Sequence, residues 1–379
     1  MSYTEVTRQG FLGRLGSSIK GILVGLLFVP GSCILLFWNE GRAIKTQRSL
    51  EEGAGAVVHV DAGAVSAGNE GKLVHLTGTA TTDETVADPD LAVSAKALRM
   101  KRDGRMYQWV EEKHSETHKK IGGGSETRTT YTYEKKWEDH RVRSEEFKEG
   151  GHQNPASMPY APQAWDAAKV TVGAFQLSTT LVSKIDAWQK LPLSEVPERL
   201  LEKATIDNGE VFVGANPSSP AVGDAKIGWS IVAPAAVSLV ARQAGGGLAP
   251  YQTKAGRDIE LLTMGNVDAQ AMFQSAMRSN AALTWVLRFV GWLVMTIGIA
   301  LMFRPFVVMS DVIPIVGSML GFGVGLFAMA ASFFISGGVV AVSWFFFRPL
   351  LSIALFAAGF GAVALVFILG RGRRKAAAA

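Results

Sequence analysis

Three groups of residues in this chain have types and spacing that could do chemistry. The first is Asn39-Glu40-Gly41-Arg42, at the end of the apolar run Ile19–Trp38. Ionisable groups at a hydrocarbon edge are costly unless paired, so this corner needs partners. Arg42 cannot readily turn back on Glu40 across Gly41, which makes a cation from the next apolar stretch the better partner. The expectation is an interfacial network of Asn39, Glu40, Arg42, Arg278 and Arg288. The sharper alternative makes Glu40 the acid or base of a reaction on a lipid headgroup. The second group is His114 and His118, whose i, i+4 spacing could present a metal from one helix face. Their surroundings, Glu111 to Lys120, form a charged run leading to Gly122-Gly123-Gly124, and a solvated hairpin arm explains that better. The third is Ser332 and Ser336, followed by Gly337-Gly338, which could hold an intramembrane nucleophile. Small residues at that spacing in an apolar run more often pack helices together. No catalytic, cofactor or metal role is assigned.

Other chemistries lack their residues. Cys33 is the single cysteine, which excludes a disulfide framework and multi-cysteine metal sites. There is no nucleophile elbow, phosphate loop or His-Glu-x-x-His. The 379 residues are 48% hydrophobic and 19% charged, and the apolar ones are clustered, which excludes purely soluble, disordered and fibrous classes. The net charge of +5 does not point to nucleic acid. Residues 39–282 carry 28 Lys/Arg against 31 Asp/Glu, so the basic excess lies beside the apolar runs and reads as topology.

The elements that must position these residues follow from length and hydropathy. Ile19–Trp38 is long enough to cross a bilayer. Its apolar run continues past Cys33, and Pro30 stands where a lipoprotein signal needs a branched residue, so an uncleaved anchor is expected. The full expectation is a basic tail (1–18), a first span (19–38), a large domain (39–282) and a second span (283–303). An interfacial or re-entrant segment (304–323) follows, then a third span (324–347), a fourth (350–370) and a basic tail (371–379). Val312–Phe347 is too long for one helix and short for two, and its glycines and Pro314 suggest the re-entrant piece. The fold class is thus an integral membrane protein of four transmembrane helices. A large β-rich α+β domain is inserted between its first and second spans.

An even number of spans puts both tails on one side. Arg8, Arg14 and Lys20 flank the first span and Arg371, Arg373, Arg374 and Lys375 the last, so both tails should be cytoplasmic and the domain outside. Within the domain, alternating runs such as Leu73–Thr77, Tyr107–Val110, Thr129–Tyr133, Ile227–Ile231 and Val237–Val240 predict strands. Gly122–Gly124 and Gly245–Gly247 predict hairpin tips. Leu181, Ile185 and Trp188 recur at helical spacing, and Leu200, Leu201 and Ala204 suggest a second short helix. Asp268 is a candidate N-cap for a helix that runs unbroken into the second span.

Motifs in order along almost the whole chain resemble the transmembrane protein 43 (LUMA) family. They include Phe37-Trp38-Asn39-Glu40-Gly41-Arg42-Ala43, Met106-Tyr107-Gln108-Trp109-Val110-Glu111, Tyr131–Trp137, Gly151-His152-Gln153-Asn154-Pro155 and Arg348-Pro349. The resemblance implies four spans, cytoplasmic tails and a large outward domain. Eukaryotic members are placed in the endoplasmic reticulum and nuclear envelope, as organisers that self-associate and bind other membrane proteins. The alanine- and glycine-rich composition suggests a bacterial member, in an inner membrane with a periplasmic domain. The resemblance transfers no catalytic residue and no cofactor. The function expected is therefore a non-enzymatic membrane protein that self-associates and organises membrane or partner proteins. A membrane-interface lipid enzyme and an ion channel are the alternatives. Expected partners are the lipid bilayer, further copies of the chain and other membrane proteins, with no nucleic acid.

Overall fold

A computed structural model describes residues 2–350 and 352–353. The chain forms two compact units. One comprises residues 2–7, 49–116 and 127–276; the other comprises 8–48, 117–126 and the described residues from 277 onward.

The first unit is the β-rich part. Its larger sheet has eight strands, running Ser2–Gln9, Ser125–Glu138, Arg99–Lys119, Ala225–Val232, Glu210–Val213, Ala204–Asp207, with two more strands attached. Burial alternates along Arg99–Lys119, where Met100, Arg102, Met106 and Gln108 face inward. That is the period of two that a half-buried strand requires. In the second sheet, Ala235–Ala244 pairs with both Leu73–Thr81 and Gly247–Ala249, which closes five strands on themselves. Met100, Ile227 and Trp229 of the first sheet share one core with Leu76, Phe175 and Leu239 of the second.

Two local readings change in this unit. The helix expected from Leu181, Ile185 and Trp188 is only the five residues Thr179–Ser183, because Trp188 is taken into the strand Trp188–Leu191 paired with Ala225–Val232. Leu200 sits in a single 3-10 turn, Glu198–Leu200, and Ala204 begins a strand, since pairing with Glu210–Val213 overrides the apolar spacing. Both glycine tips are turns as expected, and Asp268 caps its helix by accepting from the Ala271 amide at 2.9 Å.

The helices are α1 (Phe11–Ala56), α2 (Thr179–Ser183), α3 (Ala269–Ser310) and α4 (Pro314–Phe347). Among the described residues, α1, α3 and α4 are the three helices long and apolar enough to cross a membrane. The expected fourth span, 350–370, lies outside the described residues except for Leu350, Ser352 and Ile353. The tail 371–379 lies outside them entirely.

The long helices overrun their expected bounds. α1 has 46 residues, about 69 Å at a rise of 1.5 Å per residue, so Asn39–Arg42 lies within a helix rather than at its end. Gly41 is where a Cβ would strike the Phe347 ring, so glycine here permits close packing and does not break the helix. The separate segment expected at 304–323 is not a separate element. Residues 304–310 finish α3 and 314–323 begin α4, which reads Val312–Phe347 as one helix after a short turn. Pro314 occupies the first helical turn, where its missing N–H costs nothing. Glycine is well tolerated in apolar helices, and Gly317 makes room for the Asp311 side chain.

Candidate functional site

The helical unit is built by close approach. A Cβ at Gly25 would collide with the Gly298 carbonyl, and one at Gly291 with Leu36. Small residues at such crossings let backbones meet in lipid. Leu36, Met295, Ile299 and Ala328 form the buried centre. Ser332 bonds Thr296 (2.6 Å between hydroxyl oxygens) and Ser336 donates to the Met295 sulfur, so this serine pair is part of the helix packing.

Glu40 is 2% exposed. Arg288 donates to it twice, Nε to Oε1 at 2.7 Å and a terminal nitrogen to Oε2 at 2.9 Å. The Trp344 indole donates to Oε2 at 2.9 Å. Such a charge-assisted fork is the strong form of carboxylate recognition. Arg288 also lies over the Trp285 ring, 4.7 Å from its centroid. Arg42 turns to α3 instead, donating to Asn280 Oδ1 and Thr284 Oγ1, both at 2.9 Å. The Asn39 amide donates to the Thr284 carbonyl and the Asn280 amide to the Ala43 carbonyl. Four of the five expected network residues therefore meet at this corner. Arg278 is exposed, and none of these hydrogen bonds involves it.

A cavity of about 370 Å³ opens beside the corner, lined among others by Glu40, Gln47, Thr284, Arg288, Trp344 and Arg348. Arg348 donates to Gln47 Oε1 at 2.8 Å. Sequence reasoning missed Trp344, Asn280, Thr284 and Arg348 as partners. In sequence, Trp344 is one of four aromatics in a row and Arg348 precedes a proline, and neither feature signals a partner for Glu40. Chemically, both Glu40 oxygens accept from fixed donors of α3 and α4, which is the arrangement of a carboxylate that holds helices together.

A second charged cluster went unrecognised. Asp311, 1% exposed in the turn between α3 and α4, accepts from Lys119 at 2.7 Å and from Arg14. Burial would raise its pKa, but the bonds from Lys119 and Arg14 prevail and hold it below the ordinary value. Arg14 also donates to the Gly123 carbonyl at 2.6 Å, and the Gly122 amide to Val312. A Cβ at Gly123, whose φ is +80°, would meet the Phe11 ring. Residues 117–126, expected as part of an outward domain, thus pack at the N-terminal end of α1. A lone Asp between apolar runs was the available signal. Along α1, Arg14 and Glu40 are 26 residues apart, about 39 Å, which exceeds the roughly 30 Å of a hydrocarbon layer.

The histidine pair at 114 and 118 is exposed on the strand Arg99–Lys119, which cannot present i, i+4 residues as a helix does. Glu138, Asp139 and His140 bring their ligand atoms within 4.8 Å of one another, but on a solvated surface.

The family described as Transmembrane protein 43 matches residues 106–349. Transmembrane protein 43 of Mus musculus is 35% identical, covering 97% of this chain and 93% of its own length. The Homo sapiens protein is 35% identical over 91% of this chain and 88% of its own. The Drosophila melanogaster homolog is 29% identical over 88% and 90%. No solved structure matches.

Proposed function

Because the chain belongs to the transmembrane protein 43 family, we propose that it is a non-enzymatic multi-pass membrane protein that self-associates. In this reading it organises membrane or partner proteins through its β-rich domain. The observation that carries the first part is the Glu40 corner. The most costly ionisable group at the membrane boundary is spent on joining α1, α3 and α4, with three donors on its two oxygens. A lipid enzyme centred there needs a carboxylate free to exchange a proton, so the structural role is the better fit.

Two features support self-association. Gly323, Gly325, Gly337 and Gly338 of α4 leave open backbone among the described residues, a surface on which another helix can seat closely. Ser2–Gln9 is the last strand of its sheet and presents a pairing edge. In this reading the number of spans is even and the basic residues at both ends of the chain face the cytoplasm of a bacterial inner membrane. The compartment of the hairpin tip at 117–126 then follows that of residues 8–14, and its lysines need water or protein around them there. Native mass spectrometry from mild detergent tests the central claim. Oligomers are expected, and a monomer alone at every protein concentration overturns it. A periplasm-active reporter fused after residue 379 should stay silent, and strong activity would refute the even-span topology.

A further inference from the structure

The β-rich unit carries a pair of imidazoles that the corner and its function leave unused. Val58–His59 runs parallel to Leu73–Thr81 in a register that sets His59 beside His75. Their Nδ1 atoms lie 3.0 Å apart, and the rings are tilted by 35°. His75 is buried and His59 exposed, so the pair is fixed on one side and open on the other.

The tautomer of His75 follows from its second nitrogen. Nε2 lies 2.9 Å from the Val267 carbonyl, which can only accept, so Nε2 carries the proton and Nδ1 a lone pair. His59 Nδ1 stands 3.0 Å from it, and a turn of each ring off the line between them aims both lone pairs at one ion. Val267 is itself held, its amide donating to Ser238 Oγ at 2.7 Å while that hydroxyl donates to the Gly265 carbonyl at 2.8 Å. A ring N–H committed to a fixed carbonyl is how proteins orient a metal-binding histidine. Beside the pair lies an open cleft of about 480 Å³, lined by Thr77, Asn266, Asp268 and Gln270 as well. Asp268, which caps α3 with one carboxylate oxygen, adds negative charge to it.

We propose that His59 and His75 form a site for a divalent transition metal, bound through both Nδ1 atoms and completed by water from the cleft. Metal–nitrogen bonds of about 2.0–2.1 Å with nitrogens 3.0 Å apart subtend roughly 95° at the metal. That angle suits adjacent positions of a tetragonal Cu²⁺ or Ni²⁺ site, and a few tenths of an ångström of widening suits tetrahedral Zn²⁺. Imidazole ligands do not suit Ca²⁺ or Mg²⁺.

The test uses the full chain in detergent, stripped with chelator and titrated with Cu²⁺ alone, followed by electron paramagnetic resonance. One equivalent should give a single tetragonal signal with nitrogen coupling from two imidazoles. His59→Asn, at an exposed position that leaves the fold intact, should weaken binding about tenfold or more and remove one nitrogen coupling. His114→Asn with His118→Asn, and separately His140→Asn, should leave the signal unchanged. If the rings only share a direct N–H···N hydrogen bond, no stoichiometric Cu²⁺ signal forms and the proposal falls. Binding that survives His59→Asn unchanged, or that disappears in either control, also overturns it.

Discussion

Two buried carboxylates in this chain use the same partners and differ in how completely they are enclosed. In the β-rich unit, Asp88 accepts two bonds from Arg102, at 3.0 and 2.8 Å, and one from the Trp229 indole at 3.1 Å. In the helical unit, Glu40 accepts two from Arg288 and one from the Trp344 indole. The arginines differ. Arg102 spends its remaining donors on the Ala161 carbonyl, Asp90 and Gln163, and only 3% of it is exposed. Arg288 stacks on an exposed tryptophan and borders a cavity. The closed pair is buried on all sides, with Asp88 fully covered. The open pair fastens helices while leaving its arginine at the wall of that cavity. Burial of a charge is tolerated in both places because its partners are complete, and the degree of closure sets how much depends on each.

The comparison breaks most readily at the closed site. Arg102→Met leaves Asp88 buried without a counter-charge and should cost about 3–5 kcal/mol, with a large fall in melting temperature by circular dichroism. A fall of under 1 kcal/mol would mean that Asp88 is not locked as described.

The open site should be less demanding. Glu40→Gln keeps a hydrogen-bonding side chain but strands Arg288, and it should cost about 1.5–3 kcal/mol and reduce oligomer yield. Adding Arg288→Gln should restore part of that loss. If Glu40→Gln matches the loss seen at Arg102, the distinction between the two sites fails.

A third buried carboxylate sharpens the contrast through pH. The Asp311 pKa is lowered in the folded protein, so its contribution to stability is full above the unfolded value. That contribution drains away as pH falls through the folded value, below the ordinary carboxylate range near 4. Melting temperature should therefore drop less steeply on acidification in Asp311→Asn than in the parent. Parallel slopes would remove Asp311 from the set.

The smallest effect belongs to Arg278. It is exposed and outside the corner, so Arg278→Ala should change stability by no more than about 0.5 kcal/mol. A loss as large as that from Arg288→Ala would show that the expected five-residue network had been correct.

By itself the sequence determined the elements and the needs. Runs of apolar residues long enough to span hydrocarbon marked α1, α3 and the third helix, and alternation marked the strands between them. The position of Glu40 at the end of an apolar run declared that it must be paired. These properties are local: hydropathy and the cost of a bare charge are decided by a residue and its near neighbours. The partners were decided only in the tertiary structure. Trp344 reaches Glu40 from 304 positions away, Lys119 and Arg14 reach Asp311 from separate segments, and His59 meets His75 through strand register. Arg278 and Arg288 are equally plausible cations in sequence, and ten positions, nearly three helical turns, separate them. Which one faced Glu40 depended on how far α1 slid along α3, and glycine contacts such as Gly25 on Gly298 set that register.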